Sequence, residues 1–267
     1  MTTPASDITC RLALALTAAR EAGEITLEYF RRDDLVVEQK SDDTPVTAAD
    51  RRAEAHLRRR IAEAFPADAI LGEELPDRPG DSGFRWILDP IDGTKSFIHG
   101  VPLYGTLIGV ECAGQPVLGV IRIPALDECV YAAVGQGAWY VEGRQPPRPA
   151  RVSTRTALGQ SLFLTSEVAT FDSIGRRDVY DRLQAVARLS RSWGDCYGYL
   201  MVATGRAELM VDPEVAVWDL APLLPIIEEA GGVFTDWQGR RTIHSGQAIA
   251  SNRPLHAEVL SLLQAAP

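Results

Sequence analysis

Four acids, Glu73, Asp89, Asp92 and Asp219, each lie where an apolar run that reads as a strand, or the loop after it, ends. Asp89 and Asp92 belong to WILDPIDGTKSF, residues 86–97, and only Pro90 and Ile91 separate them. Two carboxylates about 4 Å apart repel by about 4 kcal/mol at an effective dielectric of 20, so crowding them calls for a compensating cation. Oxygen ligands without Cys or His suit a hard ion, favouring Mg²⁺ or Mn²⁺ over zinc. Pro90 fixes its own dihedral and has no N–H; it helps hold the turn that aims both acids inward and leaves the Ile91 carbonyl free as a further ligand. Gly93 and Thr94 then lead into a short helical KSF, whose bare first amides suit a phosphate oxygen. Acids for a metal beside amides for a phosphate are the toolkit of metal-assisted phosphoryl chemistry.

Each piece also has a plain structural use. An Asp-Gly pair is a common turn. Asp219 can cap a helix after Trp218, Glu73 and Glu74 can edge a solvated loop, and Asp50 suits a capping box opened by Thr47.

The elements that would carry these residues follow from periodicity. Ile8, Leu12, Leu16, Ala19 and Leu27 recur near helical spacing over residues 8–30. A polar loop, QKSDDTP, leads into a second helix whose apolar stripe continues through Leu57 and Ile61. AILGEE and RWILD read as short buried strands, and LYGTLIGVE, QPVLGVIRIP, ECVYAAV and GAWYVE as four more. EGRQPPRPARVS is polar and carries three prolines, so it marks the expected junction between an α+β domain, 1–147, and an α/β domain, 148–267. Beyond it, strands at SLFLTS, AELMVD and GVFTDW alternate with helices at VYDRLQAVA, CYGYLMVATG and PLLPIIEEA. Pro222 fits the first turn of that last helix; Pro225, deeper in, predicts a kink. The fold class expected is α/β.

At 267 residues with 46% apolar and 24% charged residues, the composition is that of an ordinary globular protein. A net charge of -9 argues against binding nucleic acid through its phosphates. It also fits an anionic small substrate only if cations lie between protein and ligand. Cys10, Cys112, Cys129 and Cys196 are scattered and read as free thiols, and the four histidines lack ligand spacing. No stretch has the length of a membrane span, and a cytoplasmic protein is expected.

GEE (72–74), WILDPIDGTKSF (86–97) and VWDLAPL (217–223) together resemble the inositol monophosphatase superfamily of Mg²⁺-dependent, lithium-sensitive phosphatases. The resemblance implies an αβαβα sandwich, commonly a homodimer, that hydrolyses a small phosphate monoester with two or three metal ions. It implies that Glu73 is a metal ligand that also helps activate water, that Asp89 bridges two metals, and that the Ile91 carbonyl completes the first metal's protein ligands. Asp92 and Asp219 match ligands of the second metal. Thr94, oriented by Asp50, matches the hydroxyl that assists Glu73. Lys40 matches a lysine near the metal loop, and the Gly93 and Thr94 amides match the phosphate cradle.

GDCYGY, with Asp195 at a helix start, is similar to the histidinol-phosphate phosphatases of this superfamily. Inositol-selective members carry a glutamate seven residues before the second-motif aspartate, where this chain has Asp212. Histidinol phosphate bears an ammonium and an ionisable imidazole, with which Asp195 and Asp212 can pair. Asp195 can equally be a helix cap, and Tyr197 and Tyr199 core aromatics. The competing readings are an inositol-1-phosphatase or broad sugar-phosphate phosphatase, a phosphatase of 3'-phosphoadenosine 5'-phosphate, and an inactive Mg²⁺-binding scaffold. Joint retention of Glu73, Thr94 and Asp50 argues against the scaffold.

Overall fold

The structure, a computed structural model, describes residues 5–265. The chain begins with α1 (Ala5–Leu27), a hairpin of β1 (Val37–Gln39) and β2 (Pro45–Thr47), and α2 (Ala48–Ala64). Next come β3 (Ala69–Gly72), β4 (Phe84–Asp92), the short α3 (Thr94–Ile98), β5 (Gly105–Cys112), β6 (Gln115–Ile123), β7 (Glu128–Ala133), β8 (Ala138–Glu142) and β9 (Arg148–Pro149). They are followed by β10 (Leu162–Leu164), α4 (Ala169–Ser173), α5 (Arg177–Val186), β11 (Leu189–Arg191), α6 (Asp195–Ala203) and β12 (Leu209–Asp212). The chain closes with α7 (Val217–Leu220), α8 (Leu223–Glu229), β13 (Gly232–Thr235), β14 (Ala248–Asn252) and α9 (Arg253–Gln264).

Strands β3 to β9 form one sheet in sequence order, and the second sheet runs β11-β10-β12-β14-β13. Alternation along the strands decides what each face meets. Trp86, Leu88, Ile108, Val110, Leu118 and Val120 meet Ala15, Ala18 and Ala22 of α1 and Leu57 and Ile61 of α2. Their neighbours Ile87, Leu107 and Ile121 face the other way, toward Leu200 of α6, Leu224 and Ile227 of α8, and Met210 and Ala250 of the second sheet. On that sheet's outer face, Phe163, Leu209, Val211 and Ile249 meet Val179 and Leu183 of α5 and Val259 and Leu263 of α9. The result is an αβαβα sandwich. Among the described residues no helix is long and apolar enough to cross a membrane.

Several local expectations change. The polar loop before α2 is the tip of the β1–β2 hairpin, with Val37 opposite Thr47. The proline-rich junction supplies an edge strand, β9, whose Arg148 pairs with Tyr140. Pro225 makes no kink. The helix breaks earlier, at Ala221–Pro222, and Pro225 falls in the first turn of α8, where its missing N–H has no helical acceptor to lose.

Asn252 joins the second sheet to α9. Its Oδ1 accepts the Leu255 N–H at 3.2 Å, while its amide nitrogen donates to the carbonyls of Ser153 and Arg155 at 3.0 and 2.9 Å. Asn252→Ala removes a helix cap and two hydrogen bonds to the loop carbonyls of Ser153 and Arg155. It should lower stability by about 1–2 kcal/mol in urea denaturation, with turnover of the folded protein unchanged.

Candidate active site

Because Ile87 faces the inner layer, Asp89, two residues on, faces it too. Asp89 lies opposite Leu107 and Asp92 opposite Gly105, so β4 carries one residue more than its partner and bulges at Pro90–Ile91. A bulge is where a sheet tolerates proline, and Thr106 Oγ1 donates to the Pro90 carbonyl at 2.9 Å. Gly93, at φ 81° and ψ 41°, then turns the chain into α3, a left-handed conformation that glycine adopts without steric penalty.

Asp219 arrives from the opposite side. It is the third residue of α7, and its Oδ2 accepts the Ala216 N–H at 3.0 Å, reaching back across the helix start. Asp89, Asp92 and Asp219 each place a carboxylate oxygen within 4.8 Å of the other two. Burial, and then the negative charge of neighbouring acids, raises all three carboxyls above their ordinary range. Asp92 is also held by the Cys196 N–H at the start of α6. Three crowded oxygen-only ligands, Asp89 buried and Asp92 and Asp219 half-buried, fit a hard divalent cation, which relieves both the desolvation and the repulsion.

Glu73 follows β3, its N–H donating to the Leu88 carbonyl at 3.2 Å. Glu54 of α2 fixes this turn from behind. Its Oε2 accepts the Glu74 N–H at 2.7 Å and its Oε1 the Leu75 N–H at 3.2 Å. Lys40, at the base of the hairpin tip, donates to Glu73 Oε1 at 2.7 Å and Glu74 Oε1 at 2.6 Å. Asp50 is buried on α2. Its Oδ2 accepts the Thr47 N–H and hydroxyl at 2.8 and 2.7 Å, making the capping box, and its Oδ1 is buried without a partner. Burial raises the Asp50 carboxyl, the Thr47 bonds oppose this, and the charge of Glu73 adds to it.

Two expected arrangements differ. Thr94 Oγ1 donates to the Ile91 carbonyl at 3.0 Å. That carbonyl is therefore not free, though one lone pair remains, and Thr94 is not bonded to Asp50. Asp212 is buried and takes hydrogen bonds from Thr165 Oγ1 (3.1 Å), Ser166 N–H (2.8 Å), Ser166 Oγ (3.1 Å) and Tyr199 OH (2.7 Å). With four donors from the protein itself, Asp212 stands as a brace rather than as a carboxylate open to a ligand.

Asp195 sits at the start of α6 with a left-handed φ of 51°, and its N–H donates to Ser166 Oγ at 2.9 Å. Burial, then the charges of Asp92 and Asp212, push its carboxyl up to about 8. Asp195, Ser166 and the exposed Glu214 line one small cleft together with Asp92 and Asp219. Ser166 and Glu214 were not singled out from sequence. The signals were present: Ser166 ends the strand-like SLFLTS, and Glu214 follows Asp212-Pro213, three residues before the second motif begins at Val217.

An αβαβα sandwich with a carboxylate cluster where β4 meets α7 defines a class of phosphomonoester hydrolases. The chain belongs to the inositol monophosphatase family, whose model matches residues 7–267. It is 46% identical to a histidinol-phosphatase of Chlorobaculum parvum over 90% of this chain and 91% of that protein. It is 39% identical to a histidinol-phosphatase of Mycobacterium tuberculosis over 95% of this chain and 98% of that protein. The crystal structure of the extragenic suppressor protein SuhB of Bartonella henselae superposes with a TM-score of 0.89 at 28% identity, covering 97% of this chain and all of that one.

Proposed function

We propose that this phosphomonoester hydrolase is Mg²⁺-dependent and acts on L-histidinol phosphate, releasing L-histidinol and inorganic phosphate in histidine biosynthesis. The observation that carries the proposal is the second set of acids in the cleft: Asp195 and Glu214 stand beside the Asp89–Asp92–Asp219 cluster. A polyol such as inositol offers them no positive charge, whereas histidinol phosphate offers an ammonium and an imidazole for charge-assisted hydrogen bonds. The two histidinol-phosphatase relatives support the same substrate.

On this reading Asp89, Asp92, Asp219, Glu73 and the remaining lone pair of the Ile91 carbonyl hold Mg²⁺, with Mn²⁺ as a substitute. When bound, the cations polarise the phosphoryl group and stabilise charge on the departing oxygen. The amides of Gly93 and Thr94, which have no helical acceptors at the start of α3, hold phosphate oxygens. Thr94 Oγ1, turned from Ile91 toward the unpartnered Asp50 Oδ1, orients a water, and Glu73 takes its proton as the water oxygen attacks phosphorus. The ester P–O bond breaks, and the alcohol leaves with a proton taken from solvent water, while Glu73 returns its proton to solvent. Lys40 keeps Glu73 and Glu74 from repelling each other. Asp195 and Glu214 pair with the cationic end of the substrate, with Asp212 behind them. We propose that the enzyme works in the cytoplasm as a homodimer; the buried thiols of Cys129 and Cys196, outside any disulfide, suit a reducing compartment.

The test is phosphate release with Mg²⁺, comparing histidinol phosphate with inositol 1-phosphate. A preference of about a hundredfold in kcat/KM, about 2.7 kcal/mol, is expected. Glu214→Gln should lower kcat/KM for histidinol phosphate by about tenfold and leave inositol phosphate hydrolysis unchanged. Equal rates on both substrates would replace this reading with a broad sugar-phosphate phosphatase.

A further inference from the structure

Gly109 of β5 and Gly119 of β6 are direct cross-strand partners. They lie on the inner face, beside the Leu107–Ile121 pair, in a cross-strand row with Ile87 on one side and Ala132 and Ala138 on the other. What occupies the missing side-chain space is the break between α7 and α8. A Cβ on Gly119 would lie 2.1 Å from the Pro222 carbonyl oxygen and 2.7 Å from its carbon. One on Gly109 would lie 2.5 Å from the Ala221 Cβ, 2.7 Å from the Ala221 carbonyl carbon and 2.9 Å from the Pro222 nitrogen. Most of these neighbours are backbone, so rotamer changes relieve little of the conflict. Neither glycine is needed for a left-handed turn, because neither has a positive φ. Their use is close approach.

The segment seated there carries Asp219. From Asp219 to the contact is two or three residues, and α7 leaves little slack: the Leu220 N–H donates to Ala216 at 3.2 Å and the Ala221 N–H to Val217 at 2.9 Å. Pro222 is the N-cap of α8, whose apolar residues are buried against the same sheet. The break is thus held from both sides, and its depth is set by how closely backbone can approach β5 and β6. Asp89, on the strand beside β5, faces the same layer opposite Leu107. The height of the α7–α8 break above the sheet therefore sets the separation of Asp219 from Asp89 and Asp92.

We infer that Gly109 and Gly119 form a backbone seat that positions Asp219 for cation binding, making them positioning residues for the metal centre. The inference rests on the reading that Asp219 holds a cation. An alanine at 119 pushes the Pro222 carbonyl outward by most of an ångström and carries Asp219 with it. A displacement of that size weakens cation affinity and, through it, turnover, where an error of about 1 Å can cost about a hundredfold in rate.

The experiment measures the Mg²⁺ concentration at the midpoint of its thermal stabilisation, by melting the whole protein after EDTA treatment, alongside kcat and KM. For Gly119→Ala the midpoint should rise at least about tenfold, and kcat should fall by about a hundredfold with KM little changed. Gly109→Ala, whose nearest contact is a methyl group, is the milder second variant and should shift the midpoint in the same direction. Leu183→Ala, in the outer core between α5 and the second sheet, should lower the melting temperature without moving the Mg²⁺ midpoint, which separates positioning from general destabilisation. Variants that melt lower but keep the wild-type midpoint and kcat would overturn the seat alone. A wild type that Mg²⁺ and Mn²⁺ fail to stabilise would overturn the metal reading beneath it.

Discussion

Asp92→Asn is expected to lower phosphate release by about a hundred- to a thousandfold, the range for losing one fixed electrostatic element of an active site. The same change should leave the metal-free protein at least as heat-stable as the wild type. The opposite signs have one cause. Asp92 is crowded against Asp89 and Asp219, with a carboxylate oxygen of each within 4.8 Å of the others, and like charges at that distance repel by roughly 3–4 kcal/mol per pair at an effective dielectric of 20. Without a cation the cluster relieves that repulsion by holding protons, as the raised carboxyls show, and removing one carboxyl removes part of the cost of burying and crowding the group. The asparagine oxygen can still accept the Cys196 N–H that Asp92 accepts, so little packing is lost. With Mg²⁺ the balance should invert, because the proposed site makes Asp92 one of the ion's ligands. Melting curves in EDTA and across a Mg²⁺ titration check this: the wild type should gain stability with Mg²⁺ and the variant should gain little. A variant that keeps wild-type turnover and still responds to Mg²⁺ would remove Asp92 from the metal centre.

Much of the fold and the acid cluster was legible because the informative signals are local. The run WILD followed by Pro-Ile-Asp-Gly reads as a strand that ends in a turn before a short helix; the structure has the strand and the turn, but the strand runs on through Asp92 with a bulge at Pro90–Ile91, and the turn falls at Gly93. Thr47 and Asp50 announce their capping box by spacing alone. The failures share the opposite property. β1 and β2 are three residues each, too short and polar to show a period. β14, AIASN, was not foreseen because alanine, serine and asparagine favour no strand; its place between β12 and β13 makes it one. The brace around Asp212 joins Thr165 and Ser166 to a residue 46 or 47 positions later, and no window of sequence contains both. Arg11 interrupts an apolar stretch of α1, ITCRLALAL, and as a lone charge it gives no local sign of a partner. It is in fact buried, its guanidinium 3.6 Å from the Phe84 ring centroid and 4.3 Å from that of Phe65.

The partner of Arg11 gives the largest stability effect expected. Asp68 is buried and bidentate to Arg11, with Oδ2 2.8 Å from Nε and Oδ1 2.8 Å from Nη2. The Trp86 indole N–H adds a bond of 2.8 Å and the Ser82 hydroxyl one of 2.6 Å. The cluster pins α1 and the chain before β3 to the start of β4, the strand that ends in Asp89 and Asp92. Asp68→Ala strands a buried guanidinium and should lower stability by about 3–5 kcal/mol. Asp68→Asn keeps the shape and loses the charge, so its effect reports on pH. Burial alone would raise the Asp68 carboxyl, but the bonds from Arg11, Ser82 and Trp86 together outweigh it and hold the carboxyl below its ordinary range. A carboxyl depressed on folding contributes its full stabilisation above the unfolded value of about 3.9 and loses it as pH falls through the lower folded value. Urea denaturation should therefore show a wide gap between wild type and Asp68→Asn at neutral pH that closes only below about pH 4. A gap that stays constant into acid would mean that Asp68 acts through packing and neutral hydrogen bonds, with no net contribution from its charge.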